Sequence, residues 1–441
     1  TQYSVTNKDY KYNALFGRVE LNWADKYLVN LNARRDGSSR FGPGNQFGNF
    51  GSVGAAWIFT KENVVAKAIP LLSFGKLRGS YGTSGNDQIG DYQYLSLYNF
   101  TTGVPYQGAT GTYPANLNNP NYSWEINRKL EGGIELGFLK DRILFSASYY
   151  RNRSSNELVG YSLPDIAGFT AVTENLPALV QNTGWEFVLN TVNINSKNYR
   201  WTSSINLTIS RNKLVSFPNF ENSPYQYTYV IGQPLNVMKT YHMIGVNDTT
   251  GVYEFANNKG GATYTPAYTT DRIANIDPNP KYYGGFQNAF SYKGFTLDFL
   301  FQFKKQIGIQ PMLQLNVPPG VSGYYNMPSY VLNRWQKPGD NKPIERFTQN
   351  YGGNGYAAYT IASTSDAAYV DASFIRLKNV SISYTLAASW MKAVHIQNCR
   401  IYVQCQNLLT ITRYAGFDPE NLNVNSLPPL RIITGGIEII L

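Results

Sequence analysis

Between Phe295 and Lys304 the residues sort by parity. Phe295, Leu297, Phe299, Phe301 and Phe303 fall on one side, and Thr296, Asp298, Gln302 and Lys304 on the other, with Leu300 the exception. Side chains of a strand point to alternate faces, so this segment has one greasy face and one wet face. The same period returns elsewhere. Trp201, Ile205, Leu207 and Ile209 oppose Thr202, Ser204, Asn206, Thr208 and Ser210; Ile401 and Val403 oppose Arg400, Tyr402, Gln404 and Gln406. A strand with lipid on one side and water on the other reads this way. Because lipid cannot satisfy a backbone N–H or C=O, strands that cross it must pair with one another in a closed sheet.

About thirteen spans can be read, near 12–23, 27–36, 48–59, 74–83, 124–137, 142–152, 182–193, 199–212, 282–292, 294–306, 368–385, 398–411 and 429–441. Leu139-Lys140-Asp141, Asn195-Ser196-Lys197-Asn198 and Lys293-Gly294 are tight turns. The alternate connections are long, about 84–123, 153–181, 213–281 and 307–367. Short turns at one end and long loops at the other mark an outer-membrane β-barrel, with the turns in the periplasm and the loops outside. The expected fold is therefore all-β: a transmembrane antiparallel barrel, one domain over 1–441. On this orientation Trp124, Trp185, Tyr149, Tyr150 and Tyr282 form an outer aromatic girdle, and Trp23, Tyr27, Trp57, Trp201 and Tyr292 an inner one. Arg128 resists the pattern, since it shares parity with Ile126 and Leu130 on the lipid side. Arginine at mid-bilayer costs about 2–4 kcal/mol and far less near the interface, so snorkelling from the outer end, or a local bulge, is required.

Composition agrees. Aromatics are 15% of the chain, with 35 Tyr against 23 Phe, which suits two lipid–water boundaries. The net charge of +10 is dispersed, without the basic run of a nucleic-acid binder. No apolar run approaches the ~18 residues of a membrane-crossing helix. The chain opens on Thr1-Gln2-Tyr3 without a signal peptide. Thirteen is odd where single-chain barrels are even, and the first span lacks a partner for its free edge. The expectation is a C-terminal portion whose plug and N-terminal strands precede Thr1. Cys399 and Cys405 share a face roughly 20 Å apart at about 3.3 Å per residue, too far to bridge.

No catalytic signature emerges, and the chain reads as no enzyme. Gly79-Ser80-Tyr81-Gly82-Thr83-Ser84-Gly85 resembles a phosphate loop only superficially, because no helix follows. Glu131 and Glu135 are four residues apart, roughly 13 Å on one strand, beyond the separation of a glycosidase pair. With Glu125 they line a wet interior beside Lys129. Asp248, Asp271 and Asp277 in one long loop could hold a Ca²⁺ ion or cap their own turns; no other cofactor is expected. Tyr225, Tyr227, Tyr229, Tyr264, Tyr268, Tyr324, Tyr325, Tyr330, Trp335, Tyr351, Tyr356 and Tyr359 make the loops a candidate aromatic vestibule.

Several strings, in order, resemble one family. They are Arg35-Asp36-Gly37-Ser38-Ser39-Arg40-Phe41, Lys76-Leu77-Arg78-Gly79-Ser80-Tyr81-Gly82-Thr83-Ser84-Gly85-Asn86, Asn182-Thr183-Gly184-Trp185-Glu186, Asn333-Arg334-Trp335, Ser373-Phe374-Ile375-Arg376-Leu377-Lys378-Asn379, Gln406-Asn407-Leu408-Leu409-Thr410 and Gly416-Phe417-Asp418-Pro419-Glu420. From about residue 14 to the end the chain is similar to the C-terminal part of the barrel in SusC/RagA-type TonB-dependent transporters. The resemblance implies a plugged barrel of about 22 strands. It also implies coupling to TonB through the N-terminal part, a SusD-like surface lipoprotein as a lid, dimers of transporter–lipoprotein pairs, and oligosaccharide or oligopeptide cargo. The chain departs from the family's usual aromatic last residue, ending in Leu441.

The expected function is active import across the bacterial outer membrane, with no nucleic-acid partner. The residues expected to meet cargo are Arg78, Arg376, Asn333, Trp335, Tyr325 and Asp277. A passive porin would share the strand pattern but conduct without TonB. A soluble all-β carbohydrate-binding protein would show regular four-strand repeats, which this sequence lacks.

Overall fold

The computed structural model describes residues 7–101, 107–162, 166, 168–169, 171–314, 318–321, 326–393, 395–423 and 426–440. Thirteen strands form one antiparallel sheet: β1 (Tyr12–Trp23), β2 (Tyr27–Ser38), β3 (Phe47–Trp57), β4 (Leu72–Asn86), β5 (Glu125–Phe138), β6 (Ile143–Ser162), β7 (Ala171–Asn195), β8 (Tyr199–Ser216), β9 (Tyr282–Tyr292), β10 (Phe295–Lys305), β11 (Phe374–Thr385), β12 (Asn398–Thr412) and β13 (Ile432–Ile440). Their order in the sheet is their order in the chain, an uninterrupted meander with β1 and β13 at its edges.

The tight turns have the conformations their sequences call for. Lys293 and Gly294 both take positive φ, 45° and 90°, the signature of a two-residue hairpin turn whose twist matches its strands. Leu139, Lys140 and Asp141 all lie at positive φ as well. Gly75 meets the Phe59 ring so closely that an added Cβ would sit 2.4 Å from it. This lets the turn Phe59–Lys61 lie against β4, where Gly75 N–H donates to Thr60 Oγ1 at 2.9 Å.

Register fixes the faces. Leu297 pairs with Ile382 and with Phe290, Phe299 with Val380, and Phe301 with Phe286, building the apolar face. Asp298 opposite Ser381 and Gln302 opposite Arg376 build the polar one. A bulge falls between Leu300 and Phe301, at the one apolar residue on the wet side.

Two compact units divide the contacts. The first comprises Thr1–Val188, Arg211–Gln226 and Ile231–Leu235; the second comprises Leu189–Ser210, Tyr227–Val230 and Asn236–Leu441. The first carries a buried cluster of Phe41, Ile89, Tyr122 and Trp124. The second carries a larger one among its long connections, where Tyr241, Val252, Tyr253, Phe255, Leu313 and Tyr359 pack around the helix Asn354–Ala362.

Three expectations are corrected. The segment 153–181 is not a plain loop: β6 runs to Ser162 and β7 begins at Ala171, so a two-stranded arm projects well past the expected ends. Trp124 is buried against Phe41, Phe50 and Tyr12, with its Nε1 donating to the Gln46 carbonyl at 3.1 Å; it precedes β5 and packs on the polar side rather than facing lipid. Tyr150 pairs with Glu131 and so also points to the polar face. Tyr149 and Trp185 lie on the apolar face, 5.0 Å apart between rings, and Tyr282 shares the parity of Phe286 and Phe290 on β9. Trp23, Tyr27, Trp57, Trp201 and Tyr292 occupy that face near the opposite end. Glu62 accepts from the Tyr27 hydroxyl at 2.7 Å and Lys26 Nζ at 3.0 Å, contacts that hold its carboxyl below the usual range. Tyr27 thereby has a wet handle at the membrane edge.

Candidate functional site: the polar face and the outer connections

In the first unit, the wet residues of β2 through β7 bound a cavity of about 850 Å³. Asn30, Asn32, Ser52, Ser80 and Ser148 give it hydroxyls and amides, and Lys129, Glu131 and Glu186 give it charge. The alternation puts them there: Lys129 opposes Gly82 and Asn152, and Glu131 opposes Ser80 and Tyr150. Such a wall offers hydrogen-bond donors and acceptors at short intervals, the chemistry that recognises peptide amides or sugar hydroxyls. Arg78 belongs to this wall. It pairs with Glu131 and with Glu135 at 3.2 Å, and donates to Ser148 Oγ at 2.8 Å. Its charge is already matched, so it shapes the wall more than it offers a free cation.

Arg376, in the second unit, overturns its expected role. It is 2% exposed and cannot meet a cargo molecule. Its guanidinium pairs with Asp418, with Glu420 at 2.7 Å and with Thr410 Oγ1 at 2.9 Å, while Lys378 reaches the same Glu420 at 2.9 Å. Gln306 donates to the Pro419 carbonyl. The segment Gly416–Glu420 is thus folded onto the strands by a balanced set of two cations and two carboxylates. Reading strand parity alone puts Arg376 on the wet face correctly. The missing signal lies in the acids two residues apart in a distant connection.

The outer connections hold the other candidates. Trp335 stacks over Gly251, where an added Cβ would fall 2.4 Å from the ring, and its Nε1 donates to the Asp248 carbonyl at 2.8 Å. Asn333 is exposed and accepts from Lys342 at 3.0 Å. Asp277 accepts from Asn279 and from Lys281 Nζ at 3.2 Å. Tyr325 lies outside the described residues. Trp335 and Asn333 are two residues apart in sequence; among the described residues no hydrogen bond or ion pair joins either of them to Asp277 or Arg376. The three aspartates do not converge either. Asp271 caps the Asn258 and Ala267 amides at 3.0 and 2.8 Å, and Asp248 contacts Thr249. Among the described residues no group of three acidic, His or Cys side chains could hold a metal ion. Cys399 and Cys405 are both free thiols.

One group gave no signal in the sequence. Glu345 is fully buried and neither carboxyl oxygen has a hydrogen-bond partner. Burial pushes its pKa up to about 9, eased by the nearby charge of Arg346.

Comparison with known proteins places the whole arrangement. Residues 1–408 match the family described as TonB dependent receptor-like, beta-barrel. The chain is 29% identical to the TonB-dependent receptor P3 of Formosa agariphila, over 96% of its own length and 45% of that protein. It is 27% identical to the TonB-dependent receptor SusC of Bacteroides thetaiotaomicron, over 95% of itself and 42% of that protein. Among solved structures, the RagAB peptide importer in its open-open state superposes with a TM-score of 0.82 at 25% identity, covering 98% of this chain and 47% of that one. The chain spans less than half the length of the curated relatives it matches. An alternating meander with a wet face, a greasy face and long outer connections is therefore what it resembled in sequence: the chain belongs to the TonB-dependent receptor β-barrel family of the outer membrane, in its SusC/RagA branch.

Proposed function

We propose that this chain forms the wall and outer connections of a TonB-dependent importer that takes up oligopeptides or oligosaccharides beneath a SusD-like lipoprotein lid. The observation that carries this reading is the polar cavity of about 850 Å³ on the wet face, in a chain of which 98% superposes on about half of the RagAB peptide importer's chain. Peptide is the favoured cargo. Lys129 and Glu186 offer both signs of charge beside Asn and Ser groups, which suits a zwitterionic chain with amide bonds. Asn333 and Trp335, on one of the long connections, are assigned in this reading to contact with cargo or lid, which the exposure of Asn333 supports. No side chain has to perform covalent chemistry; the work is binding, followed by a path opened from elsewhere in the full-length protein by TonB.

The test is uptake of fluorescent oligopeptides and oligosaccharides by cells carrying the full-length protein, with and without TonB. Peptide uptake that vanishes without TonB supports the reading. Uptake or conductance that persists without TonB makes the protein a porin.

A further inference from the structure

Arg128, the residue that does not fit the lipid-facing pattern, is not alone. On β5 and β6 the outward-facing pairs, ascending from the turn, are Phe138 with Ile143, Leu136 with Phe145, Ile134 with Ala147, and Gly132 with Tyr149. The next are Leu130 with Arg151 and Arg128 with Arg153. Three arginines thus crown a column of four apolar pairs; Arg151 and Arg153 are the ninth and eleventh residues counted from Ile143, the length a tilted strand needs to cross the hydrocarbon layer. The column ends at Tyr149 and Trp185, the outward aromatic pair.

Arg128 and Arg153 stand directly opposite each other, where like charges repel. Among the described residues no carboxylate forms a salt bridge with any of the three. Arg128 Nη1 reaches only Ser155 Oγ at 3.5 Å, and Arg153 Nε donates to Gln181 Oε1 at 2.8 Å. Thr83, across from Arg128 on β4, extends the polar patch. Repelling guanidiniums with spare donors, held at the height of headgroups, are complementary to a multivalent anion, and phosphate matches the guanidinium fork.

Below the arginines lies a second feature. Gly79 and Gly132 oppose each other on the apolar face and leave a groove of about 760 Å³, flanked by Leu77, Ile134, Tyr149 and Trp185. Its lining is almost wholly apolar. A Cβ added at Gly132 would meet nothing within 4 Å, so the groove is open space rather than a tight crossing. Two residues of strand, about 7 Å, separate the groove's upper level from Arg151.

We propose that this outward patch is a lipid site: Arg128, Arg151 and Arg153 hold the phosphorylated headgroup of an outer-leaflet glycolipid of lipopolysaccharide type, and an acyl chain lies in the groove over Gly79 and Gly132. The site faces the membrane and rests on the outer-membrane placement of the chain, not on the transport reading. It would seat one lipid against β4–β7, where those strands emerge from the bilayer.

Native mass spectrometry of the full-length protein in detergent tests this, using lipid A and the same lipid with its phosphate removed as probes. Wild type should retain lipid A at least tenfold better than the dephosphorylated form. R128Q/R151Q/R153Q should lose that preference, and the lysine triple variant should keep most of it. G132L, which fills the groove without a clash, should lower retention of lipid A at least fivefold with all arginines in place. Equal retention by wild type and the glutamine variant would overturn the proposal. So would an unchanged G132L whose lipid is displaced by millimolar inorganic phosphate, since that describes a simple anion site. Heat-modified migration of each variant in gels reports barrel integrity, and cargo uptake is not part of the readout.

Discussion

Replacing Arg376 by methionine should cost about 3 kcal/mol. The geometry sets both the size and the place of the loss. Arg376 and Asp418 are buried, at 2% and 4% exposure, so removing the cation strands a carboxylate away from water. Breaking a buried pair from one side typically costs about 3–5 kcal/mol. The lower end applies here, for two reasons. Asp418 Oδ1 still accepts from the Glu420 and Asn421 amides at 2.8 and 3.1 Å, and Glu420 keeps Lys378 at 2.9 Å. The loss should be concentrated in Gly416–Glu420, the segment the pair holds down. Hydrogen exchange measured by mass spectrometry in micelles would read it as a roughly hundredfold rise in exchange there, with β10 unaffected. Neutralising the partner as well, R376M/D418N, should recover at least half of the loss, because no charge is then left buried. A single variant that loses less than about 1 kcal/mol, or a double variant that loses the sum of its parts, would refute the argument that this network is a balanced, desolvated clamp.

Other expectations follow from the same kind of reasoning. Glu345 keeps its proton to about pH 9 when folded and releases it near 4.5 when unfolded, so its contribution is greatest in acid and is lost as pH rises through that window. Between pH 5 and 7.5 the change is on the order of 3 kcal/mol, and Glu345→Gln should flatten the pH dependence of proteolytic resistance in 326–362. Gly294→Ala places a side chain at φ +90°, 2.7 Å from the Thr385 carbonyl, and should destabilise the β9–β10 hairpin by about 1–3 kcal/mol in micelle unfolding. Lys129→Ala with Glu186→Ala should lower uptake of charged oligopeptides at least tenfold, with unchanged amounts of folded barrel; uptake at the wild-type level would remove the polar cavity from the cargo path.

The strand pattern was legible because it is repeated physics. Period-two alternation predicts β1 at Tyr12–Trp23 and β9 at Tyr282–Tyr292 to the residue and seven other strands within three, but misses one end of β6, β7, β8 and β11 by four residues or more. It fails where lipid no longer imposes it. Asn152 is the tenth residue of β6 counted from Ile143, the length that crosses a hydrocarbon layer; beyond it neither face need be greasy, and Pro177 within β7 argues locally against a strand. Trp124 and Tyr150 were misplaced for a related reason: an aromatic near a strand end looks the same whether it faces lipid or folds over the wet side, and only cross-strand partners decide. Arg376 shows the deeper limit. Its face follows from parity, but its burial depends on Asp418 and Glu420 some forty residues away. Arg128 shows the converse, because an apparent violation of the pattern became informative once register put Arg153 opposite it.

The claim on which everything else stands is that one face of the sheet meets lipid and the other meets water. Site-directed spin labelling of β10 in the full-length protein, reconstituted in bilayers with Cys399 and Cys405 replaced by serine, tests it directly. Labels at Leu297, Phe299, Phe301 and Phe303 should be accessible to oxygen and shielded from a water-soluble nickel chelate. Labels at Asp298, Gln302 and Lys304 should show the reverse, with the accessibility switching at every residue away from the bulge beside Leu300. Accessibility that varies smoothly along β10, or that favours the chelate at the phenylalanines, would contradict the account.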